Sequence, residues 1–188
     1  KPFTLRNIIT TGFSAFPFLV IRNLVDEVRE AVKEELLSQK YDLIHAETFY
    51  MMPNIPETAI HVLLVEQTIE YLGYQSYARS SKFWFLKPLF LIDIFKIRWW
   101  EEFFWRTCSR LVVMSEEDKT YLERTAQGIQ RINVVANGVD VEYFQQTKKN
   151  LPKNPTVLFV GTFKWLPNVE AVKFLVHEVW PNIFQALS

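Results

Sequence analysis

Short apolar runs alternate with amphipathic stretches along most of this chain. Buried strands are predicted where such runs are bounded by polar residues, at 42–46, 61–66, 110–115 and 132–136. The third run leads into Ser115 and Asp118, which have the spacing of a helix capping box, so a helix is predicted to follow and to end at Gly128. Alternating strands and helices indicate parallel strands joined by crossovers, as in an α/β protein.

Further elements are predicted on either side of these strands. An amphipathic helix is predicted over residues 20–39, because apolar residues recur there every three or four positions and charged residues fill the opposite face. Toward the other end, residues 156–161 read as a buried strand. The apolar stripe over 169–179 predicts a helix that Asn168 caps and Pro181 ends.

A polar stretch divides the chain into two regions. Residues 146–155 contain lysines and prolines and show no periodicity, so they are interpreted as a linker. Residues 1–145 then form part of a Rossmann-like parallel α/β domain, and residues 156–188 begin a second domain with a separate βα unit. The chain starts at Lys1 without methionine and stops within a helix, so it is interpreted as an internal piece of a longer protein.

The composition argues against several classes of function. Twenty-one basic and twenty-one acidic residues cancel, so no excess of positive charge favours nucleic-acid binding. The single cysteine, Cys108, excludes an internal disulfide and fits a reducing, cytoplasmic compartment. The three histidines lie far apart without metal-ligand spacing. Neither a metal nor a cofactor is therefore expected.

Ligands of open α/β sheets bind beyond the carboxyl ends of the strands, so the residues that follow strands are the candidate site. Glu47 and Glu70 follow two neighbouring strands and can take protons from hydroxyl groups or act as general bases. The alternative is that both are solvated loop acids or helix caps. Asp140 can also cap a short helical turn. After the next two strands the candidates are Ser115, Asn137, Gly138 and Asp140. These residues are predicted to line a cleft between the domains.

The turn at Gly161 is a candidate phosphate site. A glycine at the end of a strand lets backbone amides approach an anion, and the start of the next helix adds partial positive charge. Thr162 and Lys164 lie in the same turn and complete this candidate site. The alternative is a glycine that serves only a tight turn.

Residues 83–105 are crowded with phenylalanine and tryptophan. Charged residues and Pro88 interrupt the segment, so it contains no uncharged run long enough to span a bilayer. One interpretation is an interfacial helix that inserts aromatic rings into lipid. The other, which we favour from the sequence, is a core helix with a thick aromatic face.

Read together, these segments resemble the family 4 glycosyltransferases, which have the two-domain GT-B fold. The order and spacing of the matching segments carry the resemblance, above all the succession of Ser115-Glu116, Asn137-Gly138-Val139-Asp140, the linker and Phe159-Val160-Gly161. The resemblance covers nearly the whole chain. The matching segments are residues 41–47, 66–70, 100–101, 111–118, 134–140, 158–163 and 167–172.

The resemblance implies a glycosyltransferase that moves a sugar from a nucleotide-sugar donor to a glycan or lipid-linked acceptor, with retention and without a metal. Gly161 falls where the family's glycine loop faces the donor diphosphate, and Glu47 falls where many members carry a histidine. Thr162 stands in place of an arginine that members often have, and Pro167-Asn168 in place of a Lys-Gly pair. Lys164 is the candidate substitute for these cations. The enzyme is expected in the cytoplasm, at the inner face of the membrane if the aromatic segment contacts lipid.

Two family motifs are expected outside this chain, a glycine-rich loop before Lys1 and a pair of glutamates after Ser188. The chain alone is therefore expected to be inactive and to bind nucleotide sugars weakly. An uncovered sheet edge and uncovered apolar stripes also predict self-association, with a two-fold dimer as its form. The alternative function is a non-catalytic α/β module for binding or scaffolding, associated with a membrane through its aromatic helix.

Overall fold

A computed structural model of the chain describes residues 4–80, 84–126, 128–129, 131–146, 156–163 and 166–187. The chain divides into two compact units, Lys1–Gly138 and Val139–Ser188, here called the first and second unit. Of the linker predicted over residues 146–155, only Gln146 is described, as the residue that follows a short helix. The rest of that prediction lies outside the described residues.

The first unit is built on a four-stranded parallel sheet. Its strands are β1 (Leu43–Glu47), β2 (His61–Glu66), β3 (Arg110–Val113) and β4 (Ile132–Val134), and they lie side by side in chain order. All three pairings are parallel, including the pairing of β3 with β4, where Leu111 lies opposite Ile132. The predicted parallel α/β class and the positions of the four strands are therefore confirmed.

Helices cover the sheet and connect its strands. A 3₁₀ turn over Phe49–Asn54 joins β1 to β2. Among the described residues, two α-helices lie between β2 and β3, and one lies between β3 and β4. The helices of the first unit are α1 (Leu5–Phe13), α2 (Phe18–Ile21), α3 (Asp26–Ser38), α4 (Glu70–Ser80), α5 (Lys87–Thr107) and α6 (Glu116–Thr125).

The hydrophobic core lies between the sheet and helices α2, α4, α5 and α6. The sheet contributes side chains that are almost fully buried, because the apolar runs of β2 and β3 are central strands with neighbours on both sides. Fully or almost fully buried residues include Leu19, Val20, Phe49, Leu64, Tyr71, Ile97, Trp105, Leu111, Val113 and Leu122.

The single helix predicted over residues 20–39 is wrong. The chain instead forms α2, leaves helical geometry, and begins α3 at Asp26. The cause is the buried side chain of Asn54, whose Nδ2 donates to the carbonyl of Asn23 at 3.0 Å and whose Oδ1 accepts the N–H of Val25 at 3.1 Å. These bonds take backbone groups that an unbroken helix would use internally.

Two predictions for the second unit are also wrong. Its helices are α7 (Val141–Gln145), α8 (Leu166–Phe174) and α9 (Trp180–Leu187), with a π-helical segment over Leu175–Val179 joining α8 to α9. Pro181 therefore does not end the helix, and Asn168 lies inside α8 rather than before it. Proline lacks an N–H and clashes with the carbonyl four residues earlier, and the wider π turn relieves this conflict.

The strand predicted over residues 156–161 does not form in the described part of the second unit. These residues belong to no sheet there, and the side chains of Leu158 and Val160 are each 82% exposed. An apolar run becomes a strand only when neighbouring strands satisfy its backbone groups.

Candidate functional site

Polar side chains cluster at the carboxyl ends of β1 and β2. Glu47, the last residue of β1, accepts a hydrogen bond from Nε2 of Gln67 at 3.0 Å. Its other carboxylate oxygen lies 3.2 Å from Nε2 of His45, and these two side chains are 54% and 53% exposed. Because Gln67 directly follows β2, the cluster joins the ends of both strands at a surface that a ligand can reach.

Glu70 lies on the same edge of the sheet, at the first position of α4. Its carboxylate accepts a long hydrogen bond from Oγ1 of Thr68 at 3.5 Å. Partial burial raises the pKa of Glu70, and the positive charge of Arg22 opposes this rise. The structure thus places Glu47 at the last position of β1, bound to Gln67, and Glu70 after β2, bound to Thr68.

Glu101 of α5 holds the beginning of α4 in place. Its side chain is fully buried. One carboxylate oxygen accepts the backbone N–H of Glu70 at 2.7 Å and the other accepts that of Tyr71 at 3.1 Å. An internal carboxylate therefore occupies the position at this helix N-terminus where a phosphate could otherwise bind. Burial raises the pKa of Glu101 to about 8.

A second buried acid, Glu66, ends β2. Its Oε1 accepts a hydrogen bond from Nε1 of Trp105 at 3.0 Å, while Oε2 has no hydrogen-bond partner among the described residues. Burial, and then the charge of Glu101, raises the pKa of Glu66 well above its ordinary value. Thr48 lies beside the end of β2, where its N–H bonds to the carbonyl of Val65, and its φ of 68° is unusual for a β-branched residue.

Two tyrosines connect the start of α4 to α6. The hydroxyl groups of Tyr71 and Tyr121 are 2.6 Å apart, and the guanidinium of Arg98 lies 5.5 Å from the centre of the Tyr71 ring. Burial raises the pKa of Tyr71, so this hydroxyl keeps its proton. Helix α4 is thereby fixed to both α5 and α6 directly behind the exposed cluster.

The sequence predictions missed the roles of Glu66 and Glu101. The available signal was the helical position of Glu101, which lies four residues from both Ile97 and Trp105 and so shares the buried face of α5 with them. A carboxylate on an apolar helix face indicates a buried, hydrogen-bonded acid. Its partners come from a different element, and helix periodicity alone does not identify them.

Ser115 is the N-cap of α6, as predicted, and Asp118 bonds to its hydroxyl group. Its Oγ accepts the N–H of Asp118 at 3.0 Å and donates to Oδ2 of the same residue at 2.9 Å. The helix ends at Thr125, and Gly128 follows with a φ of 87°. Ser115 thus has a structural role at the end of β3.

Replacing Ser115 by alanine is expected to lower the free energy of unfolding by about 1 kcal/mol, because α6 loses its N-cap acceptor. Urea unfolding measures this loss. The matched control is Thr120→Ala within α6, which removes a hydroxyl from an exposed helical position and is expected to be neutral or slightly stabilising. If the Ser115 variant is as stable as the unchanged chain, Ser115 does not stabilise α6 as its N-cap.

The other predicted cleft residues fall in different units. Asn137 and Gly138 are exposed after β4 in the first unit. Asp140 belongs to the second unit, where its carboxylate accepts the N–H of Tyr143 at 2.9 Å and caps α7 as predicted. The placement of these residues in a cleft stays a prediction.

The turn at Gly161 packs tightly against the first turn of α8. A Cβ atom at residue 161 would lie 2.8 Å from Nδ2 of Asn168, so any larger residue there would have to displace the Asn168 side chain. The same Nδ2 donates to the carbonyl of Thr162 at 3.1 Å and fixes the turn before the helix. Lys164, the third residue of the candidate phosphate site, lies outside the described residues.

Two structural findings concern metals and membranes. No group of three or more histidine, cysteine or acidic side chains in the described ranges is arranged to hold a metal ion. Within the same ranges no helix has both the length and the apolarity needed to cross a bilayer.

Cys108 is a free thiol. Burial raises the pKa of this thiol to about 11, so Cys108 is a poor nucleophile near neutral pH.

Comparison of the chain with protein-family models, with curated proteins and with solved structures finds no match.

Proposed function

We propose that this chain is part of a glycosyltransferase that moves a sugar from a nucleotide-sugar donor to a glycan or lipid-linked acceptor. The supporting observation is the exposed cluster at the carboxyl ends of β1 and β2, in which Glu47 and Gln67 are bound to each other and Thr68 to Glu70. Carboxylate, amide and hydroxyl groups at hydrogen-bonding distance from one another suit an acceptor that is rich in hydroxyl groups.

The two acids have different roles in this proposal. Glu47 is exposed and accepts hydrogen bonds, so it orients an acceptor hydroxyl group. Glu70 has a pKa that burial raises, which brings it nearer to the working pH of a general base, and it takes the proton of that hydroxyl group. Glu101 positions Glu70 by binding the first two N–H groups of α4.

In the second unit, the turn at Gly161 is the proposed site of the donor diphosphate. Its support is the contact of Asn168 in α8 with this turn, in which Nδ2 of Asn168 donates to the carbonyl of Thr162 beside Gly161. A fixed backbone turn at the beginning of a helix presents N–H groups to a phosphate without further ordering.

Transfer is tested with the protein expressed from its complete gene, supplied with a panel of nucleotide sugars and with glycan and lipid-linked acceptors. We expect release of a nucleoside diphosphate that depends on an acceptor. Absence of transfer with every donor, together with binding of a glycan or a lipid, would instead support a non-catalytic binding module.

In that protein, Glu47→Gln and Glu70→Gln are each expected to lower kcat/KM about tenfold while changing the melting temperature little, because Glu47 is exposed and Glu70 is only partly buried. The matched control is Glu57→Gln, which changes an exposed acid in the loop before β2 and is expected to leave the rate unchanged. Wild-type rates in both cluster variants would mean that these acids are ordinary loop residues.

A further inference from the structure

Helix α5 has two apolar faces, and only one of them is buried. Ile94, Ile97, Glu101 and Trp105 face the core. The opposite side carries an apolar stripe whose exposed fractions run from 39% for Phe103 to 69% for Phe95. The rings of Trp99 and Phe103 stack within it, with centroids 5.6 Å apart. We call this set the α5 stripe, and its members are Leu89, Ile92, Phe95, Trp99 and Phe103.

Helix α1 lies beside the α5 stripe. Lys96, which occupies the helix surface between Ile92 and Trp99, donates from Nζ to the carbonyls of Thr11 and Ser14, each at 2.7 Å. The end of α1 is therefore held against α5 at the edge of the stripe. Helix α1 adds further exposed apolar side chains to this surface, namely Leu5, Ile8, Ile9 and Phe13.

The charges around these two helices are mostly positive. Of the acids of α5, Glu101 is fully buried and Asp93 accepts the N–H of Phe18. Glu102 binds Arg98 and Arg106, so this group of three carries a net charge of one positive unit rather than two. Helix α1 contains no acid. The basic residues of the two helices are Arg6, Lys87, Lys96, Arg98 and Arg106.

We propose that α1 and the α5 stripe form a docking surface for an anionic phospholipid membrane. The helices lie along the membrane surface, with the rings of Phe95, Trp99 and Phe103 at the boundary between headgroups and acyl chains, where amphipathic helices insert such residues. The basic residues attract the negative headgroups. A second copy of the chain is a poorer occupant, because a two-fold interface would bring the same basic residues of both copies together.

Vesicle binding tests the proposal with the full chain of 188 residues. Vesicles of phosphatidylcholine alone are compared with vesicles that contain about 30% phosphatidylglycerol, by co-sedimentation at low salt and at about 0.5 M salt. We expect at least about tenfold tighter binding to the anionic vesicles at low salt, and loss of most of this difference at high salt. No donor or acceptor is present, so the outcome is independent of the proposed transferase activity.

Variants locate the binding surface. The double variant Phe95→Ser/Trp99→Ser is expected to weaken binding to anionic vesicles about tenfold or more, because it removes two exposed rings. Arg6→Glu/Lys87→Glu is expected to remove the preference for anionic lipid. Their matched controls lie on α3, where Leu37→Ser removes an 80% exposed apolar side chain and Lys33→Glu reverses an exposed charge. Circular dichroism confirms that each variant keeps its helical content.

Three results would overturn the proposal. The first is absence of binding to anionic vesicles, and the second is binding that the α5 variants and the α3 controls weaken equally. The third is a dimer in vesicle-free solution that Phe95→Ser/Trp99→Ser converts to monomer, because the α5 stripe would then be an interface between two copies. Size-exclusion chromatography with light scattering measures the third result.

Discussion

Replacement of Glu101 by leucine is expected to lower the free energy of unfolding by about 3 kcal/mol at pH 6. The carboxyl group of Glu101, which carries its proton at this pH, is buried, and its two oxygens accept the N–H groups of Glu70 and Tyr71. Leucine occupies similar space but leaves both groups without an acceptor, and a buried donor without a partner costs about 1–3 kcal/mol. Urea unfolding followed by circular dichroism measures the loss.

Two further variants make this result specific. Glu101→Gln keeps one acceptor oxygen and is expected to cost about 1 kcal/mol. Glu102→Gln changes the next residue, whose ion pairs with Arg98 and Arg106 lie near the surface, and is expected to cost less than about 1 kcal/mol. If the leucine variant unfolds at the same urea concentration as the unchanged chain, Glu101 does not hold α4 in place.

The second large effect is a loss of stability as the pH rises. Burial raises the pKa of Glu66 well above 4.5 and that of Glu101 from 4.5 to about 8, so both groups bind a proton more tightly in the folded chain than in the unfolded chain. Their contribution to stability is complete below about pH 4.5 and disappears as the pH rises through the folded-state pKa values. The free energy of unfolding is expected to fall by about 3 kcal/mol between pH 5 and pH 8.

Urea unfolding at four pH values over this range tests the effect. Burial also raises the pKa values of Glu70 and Asp93, so these groups act in the same direction, whereas the net shift of Glu102 is downward. The double variant Glu66→Gln/Glu101→Gln carries neutral groups at the two buried positions. Its free energy of unfolding is expected to depend much less on pH. If the free energy of unfolding of the double variant depends on pH as strongly as that of the unchanged chain, other groups cause the effect.

The parallel sheet could be predicted because its signal is local. Each of the four strands lies in a short, mostly apolar run, and a central strand of a parallel sheet must be apolar on both faces. The successive buried residues Leu64 and Val65 of β2, and Leu111 and Val112 of β3, show this. The start of α6 was equally predictable, because its N-cap bond joins Ser115 and Asp118, which lie within four successive residues.

Other elements depend on contacts that a local pattern does not contain. The break between α2 and α3 results from Asn54, which is about thirty residues away along the chain. Residues 156–161 have the composition of a strand but lie in no sheet of the described structure. The passage of the helix through Pro181 depends on a π-helical segment, which periodicity does not predict.

The candidate site shows the same division. Glu47 and Glu70 were predicted because they follow strands, and the structure places both at the carboxyl edge of the sheet. The acids behind them were missed because their partners come from other elements, as when Glu101 of α5 binds the start of α4. Sequence position thus identified the exposed part of the site, and only the fold identifies the buried support.

The order of the strands has a consequence for synthesis of the chain. Because β1, β2, β3 and β4 lie side by side in the order in which the ribosome makes them, every new strand finds its neighbour already synthesised. The nascent chain can add these four strands one at a time to a growing edge, and none of the four has to be inserted between two of the others. Synthesis and assembly of this sheet can therefore proceed in the same direction.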